Sequence, residues 1–401
     1  MYKGAITMNH PLPRGWQKVR LGDICDINVN SLKENTNKNY QFKYIDLSSV
    51  KNGIIDFPNN YITFKNAPSR AKRIIKIDDV IMATVRPNLK GFAYISFDPK
   101  EYICSTGFAV LTSKSEICMK YIYQILYANY IEKQISNMLV GSNYPALNTS
   151  DILNIKILLP PIDEQKRIAD ILSTFDDLIE NLNKLIEKKE IYKKGVMQRV
   201  LTGEVRFNGF TDEWETMPLC KILEERKTFQ PKDGNLEHVS LTKEGVVPKS
   251  ERYERDFLVK DKNKQYKITK INDICYNPAN LKFGVICKNN YGEGIFSPIY
   301  VTFEVNKGFN IDFISYILKS ESFINNARRY EEGTVYERKA VSPENLLSIK
   351  IKIPSLEEQN KIAELLTIID KDIDNLKQIL QLRKLQKKGV MQKLLTGEVR
   401  I

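Results

Sequence analysis

The chain has 401 residues, 42% hydrophobic and 27% charged, enough for two or three ordinary cores and too apolar for a disordered polymer. No run approaches the roughly 18 consecutive apolar residues that cross a bilayer, and the opening MYKGAITMNHPLPRGW lacks the apolar core of a secretory signal, so a cytoplasmic protein with no membrane partner is expected. Lysine and arginine exceed aspartate and glutamate by 12, and residues 1–162 hold +8 of that excess; clustered positive charge favours a polyanion through counterion release, although a basic proteome would also produce it.

The chain starts its first lobe with GWQKVRLGDI around Trp16. Short β-rich runs follow, YIDLSSV, RIIKIDDVIMATV and GFAVLTS, broken by Gly, Pro and Asn, and then a helical stretch, EICMKYIYQILYANYIEKQI. From Pro160 the spacing predicts a long helix: Ile168, Ile171, Phe175, Leu178, Leu182 and Leu185 alternate by 3 and 4 as heptad a and d positions do. Asp163 and Glu164 at its start, and lysines toward its end, suit the helix dipole.

The second half repeats the plan. EWETMPLCKI around Trp214 resembles the first opening, and HVSL, YKITKINDICYN, FGVICK and PIYVTFEV stand for strands ahead of a helical NIDFISYILKSESFINNA. PSLEEQNKIAELLTIIDKDIDNLKQILQLRKLQKKGVMQKLLTGEVRI then matches the segment from Pro160 without a gap at a constant offset of 194. Its stripe is Ile362, Leu365, Ile369, Ile373, Leu376 and Leu380, with Asp372 interrupting. Each helix of about 38 residues makes a rod on the order of 55 Å. An apolar stripe needs a partner, and the other copy is the nearest; packing of each helix into its own lobe is the alternative. The expected fold is α+β: two α/β lobes, 1–160 and 208–353, separated by two long helices, 161–207 and 354–401, that form an antiparallel intramolecular coiled coil.

Sites of chemistry are sparse. There is no GxxxxGK[ST] loop to cradle phosphates, and GEGIFS from Gly292 lacks the third glycine of a dinucleotide turn. YNPAN from Tyr276 resembles the Asn-Pro-Pro-aromatic motif of amino-methyltransferases but lacks the second proline and the aromatic. Glu337, Arg338 and Lys339 form an ExK triplet beside Glu331 and Glu332, a spacing nucleases use for Mg²⁺ and one that basic surface loops also produce. Six cysteines without close pairing, at 25, 104, 118, 220, 275 and 287, read as buried thiols; only two histidines, His10 and His238, are available to a metal site, His238 reads as structural, and no metal is expected.

The order of lobe, PPxxEQxxIAxxL helix ending in KGVMQxLLTGEVR, lobe and the same helix again resembles the specificity subunit of Type I restriction-modification enzymes. YIDLSSVKNG from Tyr44, ATVRPNLKG from Ala83, STGFAVL from Ser105, GSNYPALN from Gly141, DICYNPANLKFG from Asp273 and SPIYVTF from Ser297 carry the resemblance across nearly the whole chain. It implies two target recognition domains, each reading one half of a bipartite double-stranded DNA target, with the coiled coil setting the gap. It implies partners too: two modification subunits bearing S-adenosylmethionine, and restriction subunits bearing ATP/Mg and nuclease activity, with no cofactor and no catalysis on this chain.

Base edges are read by Arg, Lys, Asn and Gln, with phosphate contacts setting register. The DNA-binding candidates are therefore Arg70, Lys72 and Arg73, then Arg86, Asn88 and Lys90, then Ser142, Asn143 and Tyr144 in the first lobe. Asn280, Lys282, Tyr336, Arg338 and Lys339 are those of the second. Gln165, Gln198, Gln359 and Gln392 are candidates for subunit docking, with helix-end packing as the alternative. Two other readings compete: a self-contained methyltransferase or nuclease with degenerate motifs, and an adaptor whose coiled coil joins modules that bind no DNA.

Overall fold

Side chains alternate along a strand, and this lets one short run serve two cores. In Val80–Ala83, Val80 and Met82 pack with Tyr121, Ile122 and Ile125, whereas Ile81 and Ala83 pack with Ile45, Cys104 and Phe108. All four are buried, as in a strand covered on both faces. The second lobe does the same with Ile274–Tyr276. Ile274 and Tyr276 join Phe303, Phe313 and Ile317, while Cys275 turns toward Val239, Cys287 and Phe296.

The computed structural model describes residues 12–139, 145–231, 234–249, 265–333 and 339–401. The central strand of each lobe lies in an antiparallel four-stranded sheet. The order is Cys25–Ile27, Phe108–Ser113, Val80–Ala83, Phe92–Tyr94 in the first, and Leu223–Glu225, Val301–Val305, Ile274–Tyr276, Ile286–Lys288 in the second. A second sheet covers one face: four strands around Gln41–Ile45 and Tyr102–Ser105, or three around Gln265–Thr269. The Trp-led opening pairs with the strand that precedes the long helix, Gln17–Arg20 with Lys156–Leu159 and Glu215–Pro218 with Lys350–Ile353.

Each expected helical stretch inside a lobe is two helices. Ala128 is extended (φ −67°, ψ 140°), so no i to i−4 ladder crosses from Met119–Ile125 to Asn129–Met138. Ser320 likewise stops Ile311–Lys319, and its hydroxyl accepts from the Phe323 N–H to start Glu321–Ala327. All six cysteines are free thiols, but only Cys25, Cys104, Cys275 and Cys287 are buried; Cys118 is half-buried and Cys220 exposed. Burial pushes the Cys25 thiol up to about 12.

The repeated segments are single helices, Ile162–Val200 and Leu356–Leu395. The chain divides into two compact units whose limits fall inside them: Met1–Asn183 with Ile379–Ile401, and Lys184–Gln378. In the first unit Asp176 pairs with Lys387 and Glu164 with Arg400, while Leu394 and Leu395 join Ile168 and Leu172 in the core. In the second unit Lys189 pairs with Asp372 at 3.1 Å, Lys193 with Asp370, and Val200 joins Ile362 and Leu366. Rising numbers on one helix meet falling numbers on the other in both units, which is the expected antiparallel coiled coil.

Its seam differs from the expected stripe on the first helix. Ile168 is buried, but Ile171, Leu178 and Leu185 are exposed, and the buried or half-buried line runs Ile168, Leu172, Phe175, Ile179, Leu182, Ile186. The sequence carries apolar doublets, Ile171-Leu172, Leu178-Ile179 and Leu185-Ile186, that satisfy either phase. The first turns decide between them: Ile168, Ala169 and Leu172 pack into the lobe core beside Leu126 and Ile157. The second helix keeps its stripe, with Ile362, Ile369, Ile373 and Leu380 buried and Leu365 and Leu376 half-buried.

Candidate nucleic-acid interface

In each lobe one turn stands at the end of the doubly covered strand, and it carries many of the residues expected to touch DNA. In the first lobe the turn leads from Val80–Ala83 to Phe92–Tyr94 through a 3-10 helix, Pro87–Leu89. Pro87 is buried and fixes the start. Arg86 (φ 49°) and Lys90 (φ 55°) bracket it in the left-handed region, an uncommon state for residues with a Cβ. Arg86 and Asn88 are exposed, and Lys90 is half-buried with its ammonium 3.2 Å from Glu132.

Hydrogen bonds to residues 145–147 hold that turn. The Arg86 N–H donates to the Pro145 carbonyl at 2.8 Å and the Leu147 N–H to the Thr84 carbonyl at 2.9 Å. Thr84 donates from its N–H and its hydroxyl to the Gly107 carbonyl, at 2.8 and 2.9 Å, and the Thr106 N–H donates to Arg70. The Ser105–Gly107 connection thus joins the Arg70 end of one sheet to the Arg86 turn of the other. Ser142, Asn143 and Tyr144 lie outside the described residues.

In the second lobe the corresponding turn is Pro278–Phe283, between Ile274–Tyr276 and Ile286–Lys288. The Asn277 side chain accepts from the Ala279 N–H, and Gly284 (φ 78°) closes it where the first lobe uses Lys90. Asn280 and Lys282 are half-buried, and the Lys282 ammonium sits 5.5 Å from the Phe283 ring centre. The Val341 N–H donates to the Pro278 carbonyl at 3.2 Å, and the Tyr276 hydroxyl donates to Val341. Thr84 with Leu147 and Pro278 with Val341 are the same bond displaced by the repeat. Lys339 is exposed close by in sequence; Tyr336 and Arg338 lie outside the described residues.

Three candidates make hydrogen bonds within their lobes. Arg73 is half-buried, gives one guanidinium nitrogen to Ser31 at 3.1 Å, and burial lowers its pKa. Gln165 is buried; its amide oxygen accepts from the Cys118 N–H at 3.0 Å and its nitrogen donates to Pro160 at 2.8 Å. Gln359 does the same between Asn310 and Pro354, at 2.9 and 3.0 Å. With both amide ends engaged, these two side chains pack at the helix ends. Gln198 and Gln392 are exposed, as is Arg70, and Lys72 is half-buried.

The exposed cations set an expectation for solution behaviour. Replacing Arg70 and Arg86 with alanine should weaken binding of the full chain to duplex DNA. It should also flatten the slope of log affinity against log salt by about 0.9 for each phosphate no longer neutralised. An unchanged slope would mean that this face does not touch the duplex.

Comparisons with known proteins agree on one group. A family model described as the Type I restriction modification DNA specificity domain matches twice, over residues 13–190 and 212–384. The Type I restriction enzyme MjaVIII specificity subunit of Methanocaldococcus jannaschii is 28% identical over 418 residues, spanning 97% of this chain and 94% of its own. The Type I restriction enzyme EcoKI specificity subunit of Escherichia coli is 26% identical over 212 residues, 51% of this chain and 45% of its own. A chain solved in work on complex assembly and conformational transition of the type I R-M system superposes with TM-score 0.60 at 20% identity, covering 97% of this chain and 100% of that one. The S subunit of the Type-I restriction-modification system of M. genitalium gives 0.59 at 15%, covering 97% and 98%. These last two are likenesses of fold.

Proposed function

The chain belongs to the family of the Type I restriction modification DNA specificity domain, and from that premise we propose that each lobe reads one half of a bipartite double-stranded DNA target, with the paired helices setting the gap. It is the DNA specificity subunit of a type I restriction-modification system, a non-catalytic recognition component of a multisubunit complex. The observation that carries the reading is the duplicated turn: two lobes of one plan each hold a braced, cation-bearing turn at the end of a central strand. Two readers with independent cores can change independently, which a bipartite target requires.

The wider assembly follows the same reading. Two modification subunits carrying S-adenosylmethionine dock on this chain, and restriction subunits carrying ATP and Mg²⁺ join them, in the cytoplasm. Among the described residues no helix is long and apolar enough to cross a membrane. Each lobe spends its polar groups on recognition, and reactive chemistry comes from the associated polypeptides.

Exchange of residues 1–158 for the first lobe of another family member tests this. With the modification subunits present, sequencing of methylated adenines should show one half of the target replaced and the other kept. A change in both halves, or in neither, would sink the modular reading.

A further inference from the structure

The two recognition turns share a feature beyond their polar groups. Leu89 is the last residue of the first 3-10 helix, just before the left-handed Lys90; Phe283 is the last residue of the second, just before the left-handed Gly284. Leu89 and Phe283 are 194 positions apart, the offset of the repeat itself. Both are large and apolar, and both stand in water: Leu89 is 61% exposed and Phe283 62%. Neighbouring apolar residues of the second turn behave ordinarily, with Leu281 buried at 1%. Single exposed apolar residues are common. An exposed one at the same structural position in two lobes of different sequence, on the turn that carries the cations, calls for a partner.

Within the lobes a second such pair makes a useful contrast; the other exposed pairs at this offset, Leu185 with Ile379, Ile191 with Leu385 and Val205 with Val399, belong to the repeated segments. Ile77 (57% exposed) and Ile271 (53%) also stand 194 apart, in the turn before the central strand. Their turns hold acids beside the exposed Lys76 and Lys270: Asp78 accepts from Tyr94, Asp79 from the Lys76 N–H at 2.7 Å, and Asp273 from the Lys270 N–H and Arg226, while the Lys270 ammonium pairs with Glu293 at 3.4 Å. Mixed charge suits a phosphate backbone less well than the turns at Leu89 and Phe283, which hold no acidic residue. Leu89 has Arg86, Asn88 and Lys90 beside it, and Phe283 has Asn280 and Lys282.

Resting on the DNA-reading function proposed above, we infer that Leu89 and Phe283 are specificity determinants, the apolar tips that meet the 5-methyl group of a thymine in the major groove, one in each half of the target. The thymine methyl is the one apolar feature that distinguishes a base edge in that groove, and side chains without hydrogen-bonding atoms read it by contact alone. The flanking Arg, Asn and Lys reach phosphates and neighbouring base edges and fix the depth of entry. The Pro-started turns and their braces to residues 145–147 and 341 hold the tip still, so little ordering cost accompanies the contact.

The test uses the full chain with its modification subunits and duplexes bearing the mapped target, with deoxyuridine replacing one thymine at a time. Deoxyuridine keeps every hydrogen-bonding atom and lacks only the methyl. For the wild type, one such replacement in each half should weaken binding about fourfold, the worth of one buried methyl group. Leu89→Ala should lose that sensitivity in its half alone, and Phe283→Ala in the other; Ile77→Ala, a truncation of similar exposure, should keep both. Equal sensitivity of wild type and Leu89→Ala at every thymine, or a half-site with no A·T pair, overturns the inference for that lobe. Lobe exchange reports on the DNA-reading function separately: a half that follows its lobe while ignoring the methyl removes the tip and spares the reader.

Discussion

Replacing Glu358 with alanine is expected to destabilise the second unit by about 2–4 kcal/mol, the cost of deleting a buried acceptor of charged and indole donors. The Glu358 side chain is 1% exposed. It accepts from Arg206 through both oxygens, at 2.9 and 2.7 Å, and from the Trp214 indole at 3.2 Å. Arg206 ends the first repeat and Glu358 begins the second, so the bond fastens the LTGEVR tail of one copy to the helix start of the other. The first unit repeats it: Arg400 reaches Glu164 at 3.2 and 2.8 Å, and the Trp16 indole donates to the same carboxylate at 3.0 Å.

Glu164→Ala should act in the same direction and less strongly. The Arg400 side chain is 45% exposed against 23% for Arg206, so water takes over its freed donors more readily. Glu358→Gln should fall between alanine and wild type, since it keeps the shape and an acceptor for the indole but gives up the charge. Hydrogen exchange of the non-proline amides of Glu215–Pro218 and Lys350–Ile353 is the readout for Glu358→Ala, and of Gln17–Arg20 and Lys156–Leu159 for Glu164→Ala. Protection lost equally from both ribbons with either variant, or from neither, would refute the assignment. A pH dependence follows for Glu164. Burial works against its ionisation, but Arg400 and Trp16 outweigh that and hold its pKa below the usual carboxylate range. Its folded value is lowered, so the stability it contributes is complete above the ordinary glutamate pKa and disappears as pH falls through that value toward the folded one.

Much of this arrangement is legible because the chain states it twice. The 194-residue offset locates both helices and the strands before them, the Trp-led openings recur at an offset of 198, and matched motifs point to the turns at Arg86 and Asn280. Tertiary choices are not legible. Gln165 and Gln359 resemble surface residues because glutamine usually is one; their burial depends on the Cys118 and Asn310 N–H groups, which only the folded chain brings near. Leu89 and Phe283 escape notice in the sequence because DNA contacts are expected from polar side chains. Their one signal there is an apolar residue at the same offset inside two polar turns. Ala128 and Ser320 look helical by neighbourhood, and backbone dihedrals alone reveal the breaks.

The phase of the seam gives the second large effect. Heptad spacing allows steps of 3 then 4, or 4 then 3, from Ile168, and the doublets at 171–172, 178–179 and 185–186 fit both. Packing of Ile168, Ala169 and Leu172 into the lobe core selects the second phase and turns Ile171, Leu178 and Leu185 to solvent. Adjacent residues of one doublet should therefore respond unequally to the same truncation. Leu172→Ala removes a fully buried side chain and should cost about 2–5 kcal/mol, because the surrounding core closes the void only in part. Ile171→Ala should stay within about 0.5 kcal/mol, as surface truncations do. Ile186→Ala against Leu185→Ala repeats the contrast in the other unit, where Ile186 is buried and Leu185 exposed. Urea unfolding of the four variants measures it through midpoints at constant slope. Losses at 171 and 185 matching those at 172 and 186 would mean that the helices pair through the stripe read from spacing alone.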